Sequence, residues 1–195
     1  ILAHENVRIR MAEGAEMGGR TIPPAPPVAL PVITYGDGLS LHLNGDEVRT
    51  YHVHHAHTDG DSIVRWKKAN VVHMGDLFFH RVTLPFIDLN SGGSARGLLA
   101  AVEKALTLVD EKTRIIPGHG PVASRADLAA YRDMLKTVVG VVDAGIRQGK
   151  TLDQIKAMKP AAAWEVKGSF ISGDAFVETL YKSLSTPSPA KHSHH

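Results

Sequence analysis

The chain contains no cysteine. Disulfides, thiolate zinc sites and thiol nucleophiles are thereby excluded, while reducing and oxidising compartments both stay open. Long apolar runs are also missing, and none approaches the roughly 20 residues that a membrane-spanning helix requires. Charge of one sign is not in excess either, with 22 Lys and Arg set against 20 Asp and Glu. These basic residues form no stripe and are not interleaved with aromatics, which argues against a nucleic-acid partner. There is no internal repeat and no composition shift that would mark a domain boundary. What is present is 195 residues with 43% hydrophobic content, enough for one domain with a sizeable core. We read residues 1–185 as that domain. Residues 186–195, opening with Thr186-Pro187-Ser188-Pro189 and closing on a histidine-rich end, read as a loose tail whose histidines are left out of the site. The first residue is Ile1 rather than methionine, and Ile1-Leu2-Ala3-His4 reads as the end of a strand already under way, so an upstream segment is expected.

In chain order, a short helix is expected over Glu5–Met11, then a glycine-rich stretch from Gly14 to Gly19. The proline-rich Ile22–Pro27 must be extended and reads as a connector or a pocket wall. Val32–Tyr35, Leu39–Leu43 and Val48–Val53 read as an antiparallel meander turned by Gly36-Asp37-Gly38 and Asn44-Gly45-Asp46. Short strands follow at Ser62–Trp66, Asn70–Met74 and Arg114–Pro117. Helical spacing of Leu98, Val102, Ala105 and Val109 predicts a helix over Ser94–Asp110. Capping boxes at Ser124 and Thr151 open two more, and Asp174–Leu184 is the last. Strands first and helices later place the chain in the α+β, layered class, with helices on one face of a sheet and the other face open.

The densest chemistry lies in His52-Val53-His54-His55-Ala56-His57-Thr58-Asp59-Gly60-Asp61-Ser62, where four histidines and two aspartates fall within eleven residues. If strand alternation continues to His57, then His55 and His57 share one face and His52 and His54 the other, so the four cannot meet at one ion. Two further positions share the format of His57, a possible ligand where an apolar strand meets a glycine-containing loop: Asp76 in Met74-Gly75-Asp76 and His119 in Gly118-His119-Gly120. Imidazole and carboxylate are suitable zinc donors when thiolate is absent, and strand-end loops of one sheet reach a common rim. Asp59, Asp61 and His55 are candidates for orienting His57 from behind. No Ser, His and carboxylate arrangement points to a nucleophile at Ser91 or Ser94.

The ordered set His-Thr-Asp-Gly-Asp-Ser, a strand ending in Gly-Asp, and Pro-Gly-His-Gly-Pro resembles the metallo-β-lactamase superfamily across nearly the whole chain. The resemblance implies an αββα sandwich with two metals at its edge, usually zinc. It implies that His57 is the third histidine of the first metal site, Asp76 the bridging aspartate and His119 the last ligand of the second. The family's leading His-x-His-x-Asp-His motif is absent. His55-Ala56-His57-Thr58-Asp59 imitates its first part, but Gly60 stands where the final histidine belongs. The chain is therefore expected to be a C-terminal portion of the fold, carrying three ligands, holding at most one Zn2+ weakly, and contributing no catalytic residue of its own. An intact member would hydrolyse an ester, amide, lactam or thioester of a small-molecule substrate. The alternative is a non-catalytic half-fold that self-associates through its uncovered sheet face, as a homo-oligomer, or pairs with a separate N-terminal half.

Overall fold

In a computed structural model that describes residues 1–17 and 20–186, the centre of the molecule is a five-stranded sheet. Its strands are β5 (Gly38–Leu43), β6 (Asp46–His52), β7 (Ser62–Trp66), β8 (Val71–Phe79) and β9 (Arg114–His119), side by side in chain order. The first four pair antiparallel, and β8 pairs with β9 in parallel. The parallel step requires a crossover, which is supplied by α2 (Ala95–Leu108). The expected tail beyond Thr186 lies outside the described residues.

Strand alternation divides the sheet into two unlike faces. Ile63, Val72, Met74 and Ile115 point to one side and are fully buried there beneath the helices. Three helices build that layer: α2, α3 (Arg125–Arg147) and α5 (Gly173–Ser185), with the short α4 (Leu152–Ala157) against α5. Their apolar stripes are those expected from spacing: Leu98, Val102 and Ala105 on α2, and Leu128, Tyr131, Leu135, Val138 and Val142 on α3, are all buried. Each helix start is chemically marked. The Ser124 hydroxyl accepts from the Asp127 amide while the Asp127 carboxylate returns bonds to Ser124, which holds that carboxyl down to about 2. Thr151 and Gln154 form the equivalent box on α4.

The opposite face carries Leu41, Val48, Trp66 and Val71 in one cross-strand row and Leu39, Thr50, Val64, His73 and Ile116 in the next. Most of these are half-buried, and the N-terminal segment covers only their end at His52 and Ser62. That segment comprises β1 (Leu2–His4), α1 (Glu5–Glu13), a hairpin of β2 (Ala15–Met17) with β3 (Arg20–Ile22), and β4 (Ile33–Tyr35). Here the structure corrects the expected meander. Strand β4 does not pair with β5 but runs parallel to β1, in register Leu2 to Ile33 and His4 to Tyr35. Its ladder is already taken by the chain's first residues, and the Tyr35 hydroxyl reaches Ser62 Oγ at 2.9 Å. Gly36-Asp37-Gly38 is therefore a passage between layers rather than a hairpin turn. The proline-rich stretch is the wall of a pocket: Ile22, Pro23 and Ala25 face Val7 and Met11 across a cavity of about 320 Å³.

The N-terminal layer is joined to the sheet by two stacked imidazoles. His4 and His52 lie face to face with ring centroids 3.5 Å apart and planes 11° from parallel, both buried. Burial, and then the neighbouring His52, push the His4 imidazole below its ordinary value against the pull of Asp59 and Glu5; burial does the same to His52. The unfolded chain accepts these protons near pH ~6.5 and the folded chain only at lower pH, so stability falls as pH drops through that range. We expect the imidazole resonances of both residues to titrate below those of exposed histidines by NMR. The melting temperature is expected to fall on acidification, with a shallower dependence in His52→Gln.

Candidate metal centre

Asp76 lies inside β8, not beyond its end as the sequence pattern suggests. The strand continues to Phe79, and its pairing with β9 slips on the way: Gly75 faces Pro117 and Phe79 faces His119, four positions along β8 against two along β9. The surplus residues bulge out of the ladder, starting at Gly75 with φ +53, a conformation that glycine adopts without penalty. Asp76 is thereby freed from the ladder and turned toward the end of β9. Gly118 completes the cradle by having no side chain, since a Cβ there would collide with the Asp76 carboxylate and the Gly75 carbonyl.

The carboxylate sits between two imidazoles. Asp76 Oδ2 is 3.6 Å from His57 Nε2, and Asp76 Oδ1 is 3.4 Å from His119 Nε2. The three candidates from distant parts of the sequence are therefore brought together, with one oxygen facing each ring. Among the described residues no three His, Asp or Glu side chains already close around a single point. The pairwise spacings are nonetheless those of ligands on a common ion: two donors bound at about 2.1 Å to a tetrahedral zinc stand roughly 3.4 Å from each other. No thiolate competes and all donors are nitrogen or carboxylate oxygen, so the residues present fit zinc or a similar ion.

Each histidine is held by a different device. His57 Nδ1 is 2.9 Å from the carbonyl oxygen of Phe86, an acceptor only, so Nδ1 carries the proton and Nε2 presents its lone pair toward Asp76. His119 is more exposed and lies flat on the Phe79 ring, with centroids 5.1 Å apart and planes 8° from parallel. Strand alternation does not reach His57: β6 ends at His52, and residues 54–60 are turns and bends. His55 has φ +50 there, its Nδ1 bonds to Gly92 O at 2.9 Å, and its carbonyl accepts from the Ser94 hydroxyl, so it ties this turn to the start of α2.

The aspartates of the motif brace the loop rather than the His57 ring. Asp61 accepts from the Thr58 amide and hydroxyl, each at 2.8 Å, while burial pushes its carboxyl up. Asp59 receives a two-pronged pair from Arg10, with Nε to Oδ1 at 2.9 Å and Nη2 to Oδ2 at 2.6 Å, which clamps the loop to α1. Of the remaining histidines, His54 is exposed and His80 donates from Nδ1 to Pro121 O. His73 accepts from the Gly75 amide, supporting the bulge. Sequence reasoning missed Phe86 and Arg10. A backbone carbonyl has no residue-type signature, and an arginine in a surface helix has too many alternatives.

Comparisons with known proteins bear on the family and the fold. The sequence profile of the metallo-beta-lactamase superfamily matches residues 2–119. An uncharacterized protein of Mycobacterium leprae is 40% identical over 86 residues, and one of Mycobacterium tuberculosis (strain H37Rv) is 35% identical over 89. Each match covers 43% of this chain and 38% of the relative, so the chain spans well under half of these curated relatives. Among solved structures, the BLEG-1 B3 metallo-beta-lactamase has TM-score 0.54 at 20% identity, over 69% of this chain and 64% of that one. The sec-alkylsulfatase Pisa1 from Pseudomonas sp. has TM-score 0.62 at 16% identity, over 91% of this chain and 33% of that one. TTHA1623, solved in a di-iron-bound form, has TM-score 0.50 at 26% identity, over 66% and 61%.

The cradle gives a direct test of geometry. In Gly118→Ala the new methyl group must displace the Asp76 carboxylate, at a cost of about 1–3 kcal/mol typical of overpacking. We expect a folded protein of lower melting temperature in which the His57 and His119 imidazole shifts move while those of His4 and His52 stay.

Proposed function

The chain belongs to the metallo-beta-lactamase superfamily, and from that premise we propose that it carries part of the centre of a zinc-dependent hydrolase, built on His57, Asp76 and His119. The observation that supports this most is the Asp76 carboxylate with one oxygen facing each imidazole. That is the disposition a bridging ligand needs if His57 serves one ion and His119 a second. A metal pair bound there would supply a water acidified toward neutral pH and would polarise the oxygen of an ester, amide, lactam or thioester bond. The chain's own part is positional. Phe86 keeps the His57 Nε2 lone pair free, Asp61 and Asp59 fix the turn that carries His57, and Phe79 supports the His119 ring.

The sequence holds no His-x-His-x-Asp-His segment, and three ligands leave each ion under-coordinated. On this reading the chain alone binds one ion weakly and turns over substrate poorly, and efficient hydrolysis needs further ligands. Metal analysis after dialysis against zinc tests the assignment. We expect at most one zinc per chain, falling at least tenfold in occupancy in both Asp76→Ala and His119→Ala; metal content unchanged in both variants would sink it.

A second reading is favoured by the open sheet face. Leu39, Leu41, Val48, Val64, Trp66, Val71 and Ile116 give a largely apolar, half-buried face, interrupted by Thr50 and His73, that no helix of the described residues covers. Such surfaces on soluble proteins mark contacts with another chain. We infer self-association through this face, with the alternative that a separate N-terminal half pairs with it. Sedimentation velocity is expected to show a concentration-dependent shift to larger species that Trp66→Glu abolishes. A monomer at all concentrations would reject the reading.

A further inference from the structure

A line of aromatic rings leads away from the candidate centre. The Phe86 ring centroid is 5.6 Å from that of His57, and the Phe170 ring is 6.3 Å beyond Phe86, each pair inclined at 54–60°. Phe86 is partly buried, whereas Phe170 is 70% exposed. A phenyl ring that far into solvent gains little from folding and is free to contact a ligand.

The Phe170 backbone is not a slack loop. The next residue donates its amide to Thr83 Oγ1 at 3.2 Å, and Thr83 is buried. Ser169 on the other side bonds to Val166 O through its amide and to Ile171 O through its hydroxyl, each at 3.0 Å. Glu165 closes the segment by accepting from the Gly173 amide at 2.8 Å. The exposed ring is thus presented by a segment fixed at both ends, opposite the loop that carries Phe86. Of the charged groups in or near this segment, Glu165 is engaged on Gly173 and Arg81 on Asp127 at 2.8 Å, while Lys167 is exposed. Val82, adjoining Thr83, is a further exposed aliphatic group.

We propose that Phe86 and Phe170 form an apolar subsite beside the metal centre, and that it selects substrates bearing an uncharged aryl or bulky alkyl group a short spacer away from the reacting carbonyl. The inference rests on the hydrolase reading, in which that carbonyl lies at Asp76. The line of rings carries the preference: a carbonyl at the carboxylate faces His57, whose ring neighbours Phe86 at 5.6 Å, and a substituent that follows that line reaches Phe170. A charged substituent would lose hydration against the two rings. Phe86 has two roles, since its carbonyl orients His57 while its ring forms the floor of the subsite.

Four small ligands separate this inference from the metal assignment: acetamide, phenylacetamide, acetohydroxamate and phenylacetohydroxamate, titrated by NMR into the metal-free and the zinc-loaded chain. Replacing methyl by benzyl reads the subsite, and replacing amide by hydroxamate reads the metal. We expect the benzyl compounds to bind about tenfold more tightly in both states, the order of gain for one ring on a half-open apolar surface, with shifts at the Phe86 and Phe170 resonances. In Phe170→Ala that gain should vanish while the hydroxamate gain from zinc persists, and Phe170→Leu should keep most of it. Equal affinity of phenylacetamide and acetamide for the intact chain, or a benzyl preference that survives in Phe170→Ala, overturns the subsite. Hydroxamates that gain nothing from zinc overturn the metal reading, and the metal-free amide pair still decides the subsite.

Discussion

The candidate site depends on one irregularity, the slip in the parallel pairing of β8 with β9. Had the two strands stayed in even register, Asp76 would be one more side chain in the sheet, pointing to a face rather than to the strand end. Four residues of β8 instead span the rise that two residues cover on β9. The excess bends Asp76 toward His119, and the left-handed Gly75 and the bare Gly118 make the bend sterically possible. The irregular stretch costs ladder hydrogen bonds, and it is stabilised by the fully buried Leu77 and Phe78 beneath it. The core thus holds open a distortion that an unsupported strand pair would relax.

Much of this was readable before any coordinates. The helices of the second half were marked by capping residues and by apolar spacing, two signals that act within a few residues and that tertiary context did not override. Leu128 through Val142 are buried in the order expected. That His57, Asp76 and His119 lie near one another was legible from their order along the chain, although only His119 stands at a strand end as the pattern suggested. Strand partnership was not legible. Ile33-Thr34-Tyr35 has the composition to pair with any neighbour, and nothing local indicates that Leu2-Ala3-His4 claims it first. The alternation argument on the histidine stretch failed for a related reason, since Val53 to His57 alternates acceptably while the backbone has already turned at His54 and His55.

What the sequence hid most fully is how His57 is held. Its proton is fixed by the carbonyl of Phe86, its carbonyl accepts from the Asp88 amide at 2.9 Å, and Asp59 two residues on donates its amide to Ser91 at 2.9 Å. All three partners lie between Phe86 and Ser91, a segment without helix or strand. Main-chain groups do this work, so almost any side-chain composition satisfies it, and the pattern leaves no trace in residue types beyond Gly92 and Gly93.

The histidine turn is consequently clamped from two layers at once. The loop after β8 grips it from the helix side, and Arg10 on α1 grips Asp59 from the N-terminal layer. Asp76 and His119 owe nothing to that second layer, because their positions follow from β8, β9 and the core beneath. The two halves of the centre therefore differ in what they need. One half is fixed by the sheet and the helices behind it. The other is gripped in addition by the N-terminal layer, docked over the His52 end of the sheet and its loop through a stacked imidazole pair, the Tyr35 hydroxyl, the Arg10 pair, the Asn6 side chain on Asp59 O at 3.0 Å and Val7 against Gly60. Whatever else covers the open face would stabilise that docked layer, and through Arg10 and Asp59 would set how firmly His57 faces Asp76. Closure of the sheet face and order at the candidate centre are in this way one mechanical problem.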